Sequence, residues 1–465
     1  MSSTGWLMGC LIASMVLILF LILKVKINAA ISLVLGSMCM GLISGLPVIE
    51  VIGGINEGFG SMLKSIGLPI GFGIILGQLL SDFGGAKVIA TSIVKKFPKS
   101  KAIYAIGIAA FVLSIPVYFD VTFVILIPIG IALIKEINKP IAYIVGAITI
   151  GAAAAHTMVP PTPAPLAAGE IFGFDIGILI AFGGIFGIII TIIAITVYMK
   201  VLDRGLWNPV EDENGEGISI EDESLVNQEI AMGSSTAIST AKLPSTFLSI
   251  LPIFLPVILI LLNTVTSSMM GESQPIIFQF FGDKTTALLA GAIAAYLIGW
   301  KFMGQEKAEK SATSSLSSAG IVFLITGAGG AFAKIIEISG VSGAIVEIVS
   351  GFSGNVMLVL LISYIVGLLI KQITGSGTVS AITSMTIMSS VAPSVAIPPV
   401  FIALACLSGT LFGCTVNDSG FWIVTNMSGL TFKGGFKTYT LAEMIESVIC
   451  LIMLLIIASV YLLVF

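Results

Sequence analysis

Few residues in this 465-residue chain can do chemistry, and they stand where the sequence is otherwise apolar. His156, the single histidine, ends the run "GAAAAHTM", and Pro160, Pro161, Pro163 and Pro165 crowd the nine residues that follow. An imidazole with an ordinary pKa near 6.5 suits a proton carrier or a donor to a ligand, against the plainer role of a hydrogen-bonded packing residue. Asp120 lies in "SIPVYFDV" (114–121). A carboxylate deep in hydrocarbon costs roughly 2.5–3.5 kcal/mol on insertion scales, so it is paired, protonated or facing water, unless it lies shallowly at the interface. Desolvation of this kind raises a carboxyl's affinity for protons. Lys371 precedes "TGSGT" (374–378), whose hydroxyls and glycine-exposed N–H groups suit hydroxylated ligands. It is read either as the anchor of a substrate carboxylate or as a lysine snorkelling from a helix end. Asn417 and Asp418 interrupt another apolar segment, Asp418 being equally readable as a helix cap. Together these residues point to handling of protons and a small organic anion.

Other chemistries are thinly supplied. There is no GxSxG, no HExxH and one histidine, so hydrolytic and zinc mechanisms lack parts, and no enzyme activity is expected. The glycine-rich tip lacks the lysine-Ser/Thr ending of a phosphate loop. Five cysteines sit in apolar segments without a CxxC pair, which argues against a disulfide framework or metal site. No cofactor is implied beyond a coupling ion, protons first and sodium as the alternative. The net charge of −4 comes largely from one loop, and no nucleic-acid partner is expected.

The elements that must position these residues are membrane helices. Hydrophobic residues make up 57% of the chain and charged ones 10%, against about 25% charged in soluble domains. Apolar runs at 7–23, 27–46, 176–199, 247–262, 284–300 and 441–465 are near the ~20 residues that cross ~30 Å of hydrocarbon. The start "MSSTGW" carries no basic residue and the first charges, Lys24 and Lys26, follow the span. The first helix is therefore expected to stay, with both termini outside.

Short loops rich in lysine mark the cytoplasmic side. Lys101 and Lys135 flank an apolar stretch too short for two spans, yet both belong inside. A re-entrant hairpin over about 101–136 resolves this conflict. Residues 355–392 read as its counterpart, entering from outside. The polar segment 205–242 is read as an acidic, mobile cytoplasmic linker between a first repeat, 1–204, and a second, 243–465. An offset of 256 residues lays Gly84 on Gly340, the break at 116–120 on 372–376, and "HTMVPPTPAP" on "FGCTVNDSGF". The expected fold is an all-α polytopic membrane protein of two inverted repeats. Each repeat has about five transmembrane helices and one hairpin, with unwound helices meeting at the midplane. Unwound backbone survives there only in protein or beside a water-filled cavity, which makes the breaks the expected site.

The segments "IPVYFDVTFVILIP", "HTMVPPTPAP", "ITGSGTV" and "NDSGFW", in that order, resemble the signatures of the gluconate permease family, proton-coupled importers of sugar acids with some D-serine carriers. The resemblance implies the ion transporter superfamily, whose members have inverted repeats with two hairpins, many being dimers with a mobile unit moving against a scaffold. It places the family's hairpin acid on Asp120, its pre-proline histidine on His156, its basic residue on Lys371, and its Asn-Asp pair on Asn417 and Asp418. Thr162 stands where a second histidine is common, and Ala164 where glycine is.

The reading is a bacterial inner-membrane, multi-pass secondary transporter importing gluconate or a related small hydroxylated monocarboxylate by proton symport, with elevator-type alternating access. Asp120, His156 and Asp418 are expected to carry protons. Lys371, Ser376, Thr378, His156, Thr162 and Asn417 are expected to hold substrate. The alternatives are a sodium-coupled di- or tricarboxylate carrier and a D-serine-type importer. The expected partners are the organic anion, the bilayer and a second copy of the chain in a homodimer.

Overall fold

The computed structural model describes residues 3–25, 27–214, 243–350, 355–413 and 418–464. In the first half, α1 (Thr4–Phe20), α2 (Ala29–Ile43), α3 (Val48–Asp82) and α4 (Gly85–Lys96) lead to α5 (Ala102–Ser114) and α6 (Phe119–Ile137). These are followed by α7 (Ala142–Met158), α8 (Pro163–Phe172), α9 (Ile176–Val201) and the short α10 (Pro209–Asp212). The second half comprises α11 (Thr246–Met270), α12 (Ile276–Gly282), α13 (Lys284–Met303), α14 (Gln305–Ile338) and α15 (Val341–Ser350). Then come α16 (Val356–Thr374), α17 (Gly377–Ser389), α18 (Pro399–Thr410), α19 (Ser419–Met427), α20 (Phe432–Gly435) and α21 (Leu441–Val464). Among the described residues, seven helical stretches are long and apolar enough to cross a bilayer, and α4 and α5 form a further pair bent by 119°. The chain is therefore an all-helical, multi-pass membrane protein. The six apolar runs picked out in the sequence all fall on helices.

Two groups of helices pack against each other. In one, α3 and α14 lie along each other with α2 and α13 at their sides. In the other, α5, α7 and α9 form a layer, as do α16, α18 and α21, and α21 also packs on α7 and α9. The short α8 and α17 lie between the groups, each touching α14. Ile185, Ile258, Leu297 and Ile456 turn outward, whereas nearly every residue of α7 is buried, including the run Ala152–Ala155. Small side chains let backbones approach closely where hydrocarbon offers no hydrophobic drive between helices. The crossing of α3 and α14 shows why: a Cβ on Gly330 would lie 2.5 Å from the Gly58 carbonyl oxygen and 2.6 Å from Met62.

Element boundaries recur between the halves. Shifted by the offset that joins Gly84 to Gly340, α3 falls on α14, α4 on α15, α7 on α18 and α8 on α19, each start within one residue of its counterpart. Both glycines adopt the same left-handed φ of 79° ahead of the following helix.

The expected linker departs from its sequence reading at its first residues. Positions 205–214 are folded onto 429–437: Glu213 and Leu430 form an antiparallel bridge, and Asn214 N–H donates to the Gly429 carbonyl at 2.9 Å. Lys437 Nζ donates to both carboxylate oxygens of the fully buried Asp212, at 2.8 and 2.6 Å, and to the Leu206 carbonyl at 2.8 Å. Lys437 is thus not the solvated flank its loop position suggests, because a buried carboxylate needs a paired cation. Exposed Lys433 beside Glu211 holds that carboxyl below the usual carboxylate range. The rest of the expected linker, 215–242, lies outside the described residues.

Gly330→Leu should lower the thermal midpoint of the detergent-solubilised protein, with overpacking of this kind costing about 1–3 kcal/mol. Gly53→Leu, where a Cβ meets nothing within 4 Å, should leave the midpoint unchanged.

Candidate binding site at the helix breaks

Four interruptions of helix come together, two from each half. The first, 115–118, separates α5 from α6 and places Asp120 in the first turn of α6. The second, 159–162, separates α7 from α8, so His156 occupies the last turn of α7. Prolines make this second break almost obligatory, since each removes a donor and crowds the preceding turn. Its freed carbonyls are met from within: the Thr162 hydroxyl lies 2.8 Å from the His156 carbonyl oxygen and 2.9 Å from that of Val159. Thr162, expected to bind substrate hydroxyls, is thus engaged with backbone. The two breaks meet around a small cavity lined by Gly73, Pro116, Tyr118, Pro161 and Thr162. The rings of Tyr118 and His156 are 5.8 Å apart.

In the second half, Gly375 takes a left-handed φ of 71° that ends α16, and Ser376 caps α17 by accepting from Val379 N–H at 3.4 Å. Thr378 lies in the first turn of α17, half-buried. Unwinding after α18 leaves the Phe412 and Gly413 carbonyls to accept from Gln372 Nε2, at 2.9 and 3.0 Å. Asp418 caps α19 through Gly420 N–H, at 2.9 Å to Oδ1. Its other oxygen is 2.6 Å from Lys371 Nζ and accepts from the Tyr439 hydroxyl at 3.0 Å. Lys371 also donates to the Gly375 carbonyl at 3.2 Å. Lysine and aspartate are 5% and 8% exposed. Asp418 therefore caps a helix with one oxygen and balances the lysine with the other. Asn417, expected beside it, lies outside the described residues.

The halves also touch each other here. Asp120 is close enough to Asp418, and His156 to Lys371, for their charges to interact. The Phe119 and Tyr439 rings are 5.8 Å apart. Asp120, His156, Lys371 and Asp418 therefore form one cluster, with Thr162, Ser376 and Thr378 on the breaks that frame it. His156 Nδ1 and the Tyr118 hydroxyl are sealed from solvent without a partner among the described residues.

Sequence reasoning passed over Tyr439, Gln372, Glu443 and Glu446. Glu443 interacts with both Lys371 and Asp418, and Glu446 with Glu443. The signal was present: "LAEMIESV" puts two acids one helical turn apart in a segment that otherwise reads as an apolar span.

A polytopic helical bundle holding an ion-paired polar cluster where four broken helices converge has the plan of a membrane permease. The chain belongs to the GntP permease family, whose model, described as GntP family permease, matches residues 6–460. It is 30% identical to a gluconate permease of Pseudomonas aeruginosa, with 99% of each chain covered. It is 29% identical to the high-affinity gluconate transporter of Escherichia coli, over 93% of this chain and 95% of that one. With the Gnt-II system L-idonate transporter of E. coli it shares 28% identity, over 95% and 96%. Among solved structures, the YdaH transporter of Alcanivorax borkumensis has the same fold at TM-score 0.60 and 14% identity, covering 93% of this chain and 97% of that one. The family read from the four motifs is the family found.

Removing one partner of a buried ion pair strands the other, at a cost of about 3–5 kcal/mol. Asp418→Ala should accordingly destabilise the solubilised protein strongly, while Lys371→Met combined with Asp418→Ala should recover part of the loss. Additive losses in a thermal-denaturation double-mutant cycle would disprove the coupling.

Proposed function

We propose that this protein is a bacterial inner-membrane importer of gluconate or a related small hydroxylated monocarboxylate, driven by proton symport. The observation that carries the reading is the buried lysine paired with an acid at the junction of four helix breaks. Relatives named for gluconate and L-idonate transport support the substrate class, and a relative named an inner membrane permease supports the location.

In the proposed cycle a substrate carboxylate displaces Asp418 from Lys371, and a proton neutralises an acid of the cluster as it does so. Asp120 is the assigned carrier, with His156 and Asp418 beside it. Ser376, Thr378, Thr162 and Asn417 are the assigned contacts for substrate hydroxyls, Thr162 through an oxygen that keeps lone pairs when its proton is spent. One lysine matches one carboxylate. A di- or tricarboxylate driven by sodium would be expected to find a second cation.

The recurrence of α3, α4, α7 and α8 at a constant offset supports two repeats, which the odd number of spans in each half would set in opposite orientations. On this plan 115–118 and 375–376 are the tips of re-entrant hairpins, and the unwound segments lie at the bilayer midplane. The long α3 and α14 are proposed as scaffold, as in an elevator, with the segment after 205 in the cytoplasm, both termini outside and a homodimer as the working unit.

Proteoliposomes under imposed pH or sodium gradients test this directly, with labelled gluconate, D-serine, glycerate and citrate as cargo. Gluconate should accumulate under an inward proton gradient, without sodium. Asp120→Asn should abolish accumulation yet retain counterflow exchange, and normal proton-driven accumulation in that variant would remove Asp120 from the mechanism. Lys371→Ala should weaken gluconate binding by tenfold or more, about 1.4 kcal/mol; unchanged affinity would refute the anchor.

A further inference from the structure

Beyond the residues assigned above lies a second pair of acids. Glu443 and Glu446 are 5% and 0% exposed. Three and four residues apart are neighbours on a helix face, so both carboxyls sit on one side of α21. Glu443 Oε2 and both oxygens of Glu446 are sealed from solvent with no hydrogen-bond partner among the described residues. A buried ionised carboxylate without a partner is too costly to persist, and such a group neutralises instead.

Among the described residues, the lysines beside α21, including the Lys371 that acts on Glu443, already hold carboxylate partners. Lys371, on α16, is matched by Asp418, and Lys437, on the turn before α21, is matched by Asp212. The hydroxyl of Tyr364, on α16, is hydrogen-bonded to that of Ser447 at 2.8 Å, and the Ser447 hydroxyl donates to the Ser408 carbonyl at 2.7 Å. Tyr198, from α9, donates to backbone carbonyls. The other ionisable groups on helices packed against α21 are His156 and Tyr143 on α7, the exposed Lys200 on α9 and Cys406 on α18, with Tyr461 and Cys450 on α21 itself, Cys450 within electrostatic reach of Glu446. Hard cations gather several oxygens at once, and among the described residues no three His, Cys, Asp or Glu side chains are grouped to hold one, so the pair suits a proton better than a metal ion. A path to the ion pair also exists: the Tyr439 hydroxyl bonds Asp418 Oδ2 at 3.0 Å and reaches Glu443.

We propose that Glu443 and Glu446 are a proton-carrying pair of the transport cycle, seated one helical turn apart on α21 behind the Lys371–Asp418 pair. This rests on the proton-symport reading above. Each acid gains one O–H bond as it takes a proton and loses it to water when the cluster opens. When substrate draws Lys371 away from Asp418, the proton held on Glu443 can pass to the released carboxylate through the Tyr439 hydroxyl that lies between them.

Two measurements on the full chain decide the matter. Infrared difference spectra of the solubilised wild type across a pH step should show a protonated-carboxyl band that Glu446→Gln and Glu443→Gln each diminish. In proteoliposomes, Glu446→Gln should lose proton-driven gluconate accumulation, ending at equilibration, while counterflow exchange continues. Glu446→Asp, which keeps the carboxyl, should restore part of the accumulation and guards against misfolding. Undiminished accumulation in the Glu443→Gln, Glu446→Gln double variant would overturn the proposal, as would the absence of the band or a wild-type band that sodium abolishes at fixed pH. If the wild type itself ignores a proton gradient, the symport reading fails instead, and the band still reports whether the pair holds protons.

Discussion

The constraint on which this molecule depends is that no backbone N–H or C=O inside a bilayer can go without a partner. Each place where a helix stops short of the far side releases several such groups. The chain meets the debt with a small number of side chains set at the breaks themselves. Thr162 covers carbonyls left at the end of α7, Gln372 covers those after α18, Lys371 covers Gly375, and Asp418 holds the first turn of α19. Polar residues are therefore concentrated where helices break because the fold requires them there. A site for a hydrophilic cargo can form at the same place with no further polar cost.

Charge adds a second condition. Around the breaks stand one lysine and several acids: Asp120, Asp418, Glu443 and Glu446. A single cation cannot neutralise them all, and an anionic cargo that takes Lys371 worsens the imbalance by one. Under the proposed function this arithmetic couples cargo to protons, because the anion can stay only if an acid becomes neutral. By linkage the effect runs both ways, so protonation of the cluster must raise affinity for the anion by the same factor that the anion raises affinity for protons.

The helices and their bundle were legible in the sequence because hydrocarbon imposes long apolar runs that side-chain detail cannot hide. The breaks were legible for a related reason: the proline run after His156 removes backbone donors, and the "TGSGT" tip offers a glycine for the left-handed turn that ends α16. Asp120, His156, Lys371 and Asp418 stood out as rare polar types beside those breaks, and they do meet. Glu443 and Glu446 were passed over because they lie within an unbroken span, where periodicity says only that a helix continues. Their burial depends on α16, α18 and α7 closing around them, and such long-range packing leaves no local mark. The same holds for Asp212 and Lys437. Each looks like a loop charge until the chain segments 225 residues apart are brought together.

The two halves repeat their helix boundaries but not the chemistry of their breaks. In the first half the interruption after α7 is made by prolines, which have no N–H to satisfy, and its carbonyls are closed by a threonine from the same turn. The hydrogen bonds that close that break lie within the segment itself. In the second half the breaks are held by exchangeable groups: a lysine, an aspartate, a glutamine and a tyrosine whose partners lie on other elements. A cargo carboxylate can take the aspartate's place on the lysine, and a cargo hydroxyl can donate where the glutamine or tyrosine does, whereas nothing can substitute for a proline ring. On the proposed plan the repeat supplies matched geometry, and the difference in chemistry gives its second half the groups a cargo can exchange with. Binding and release on the proposed cycle should be worked mainly by the second half, with His156 and Asp120 presented to it from the first.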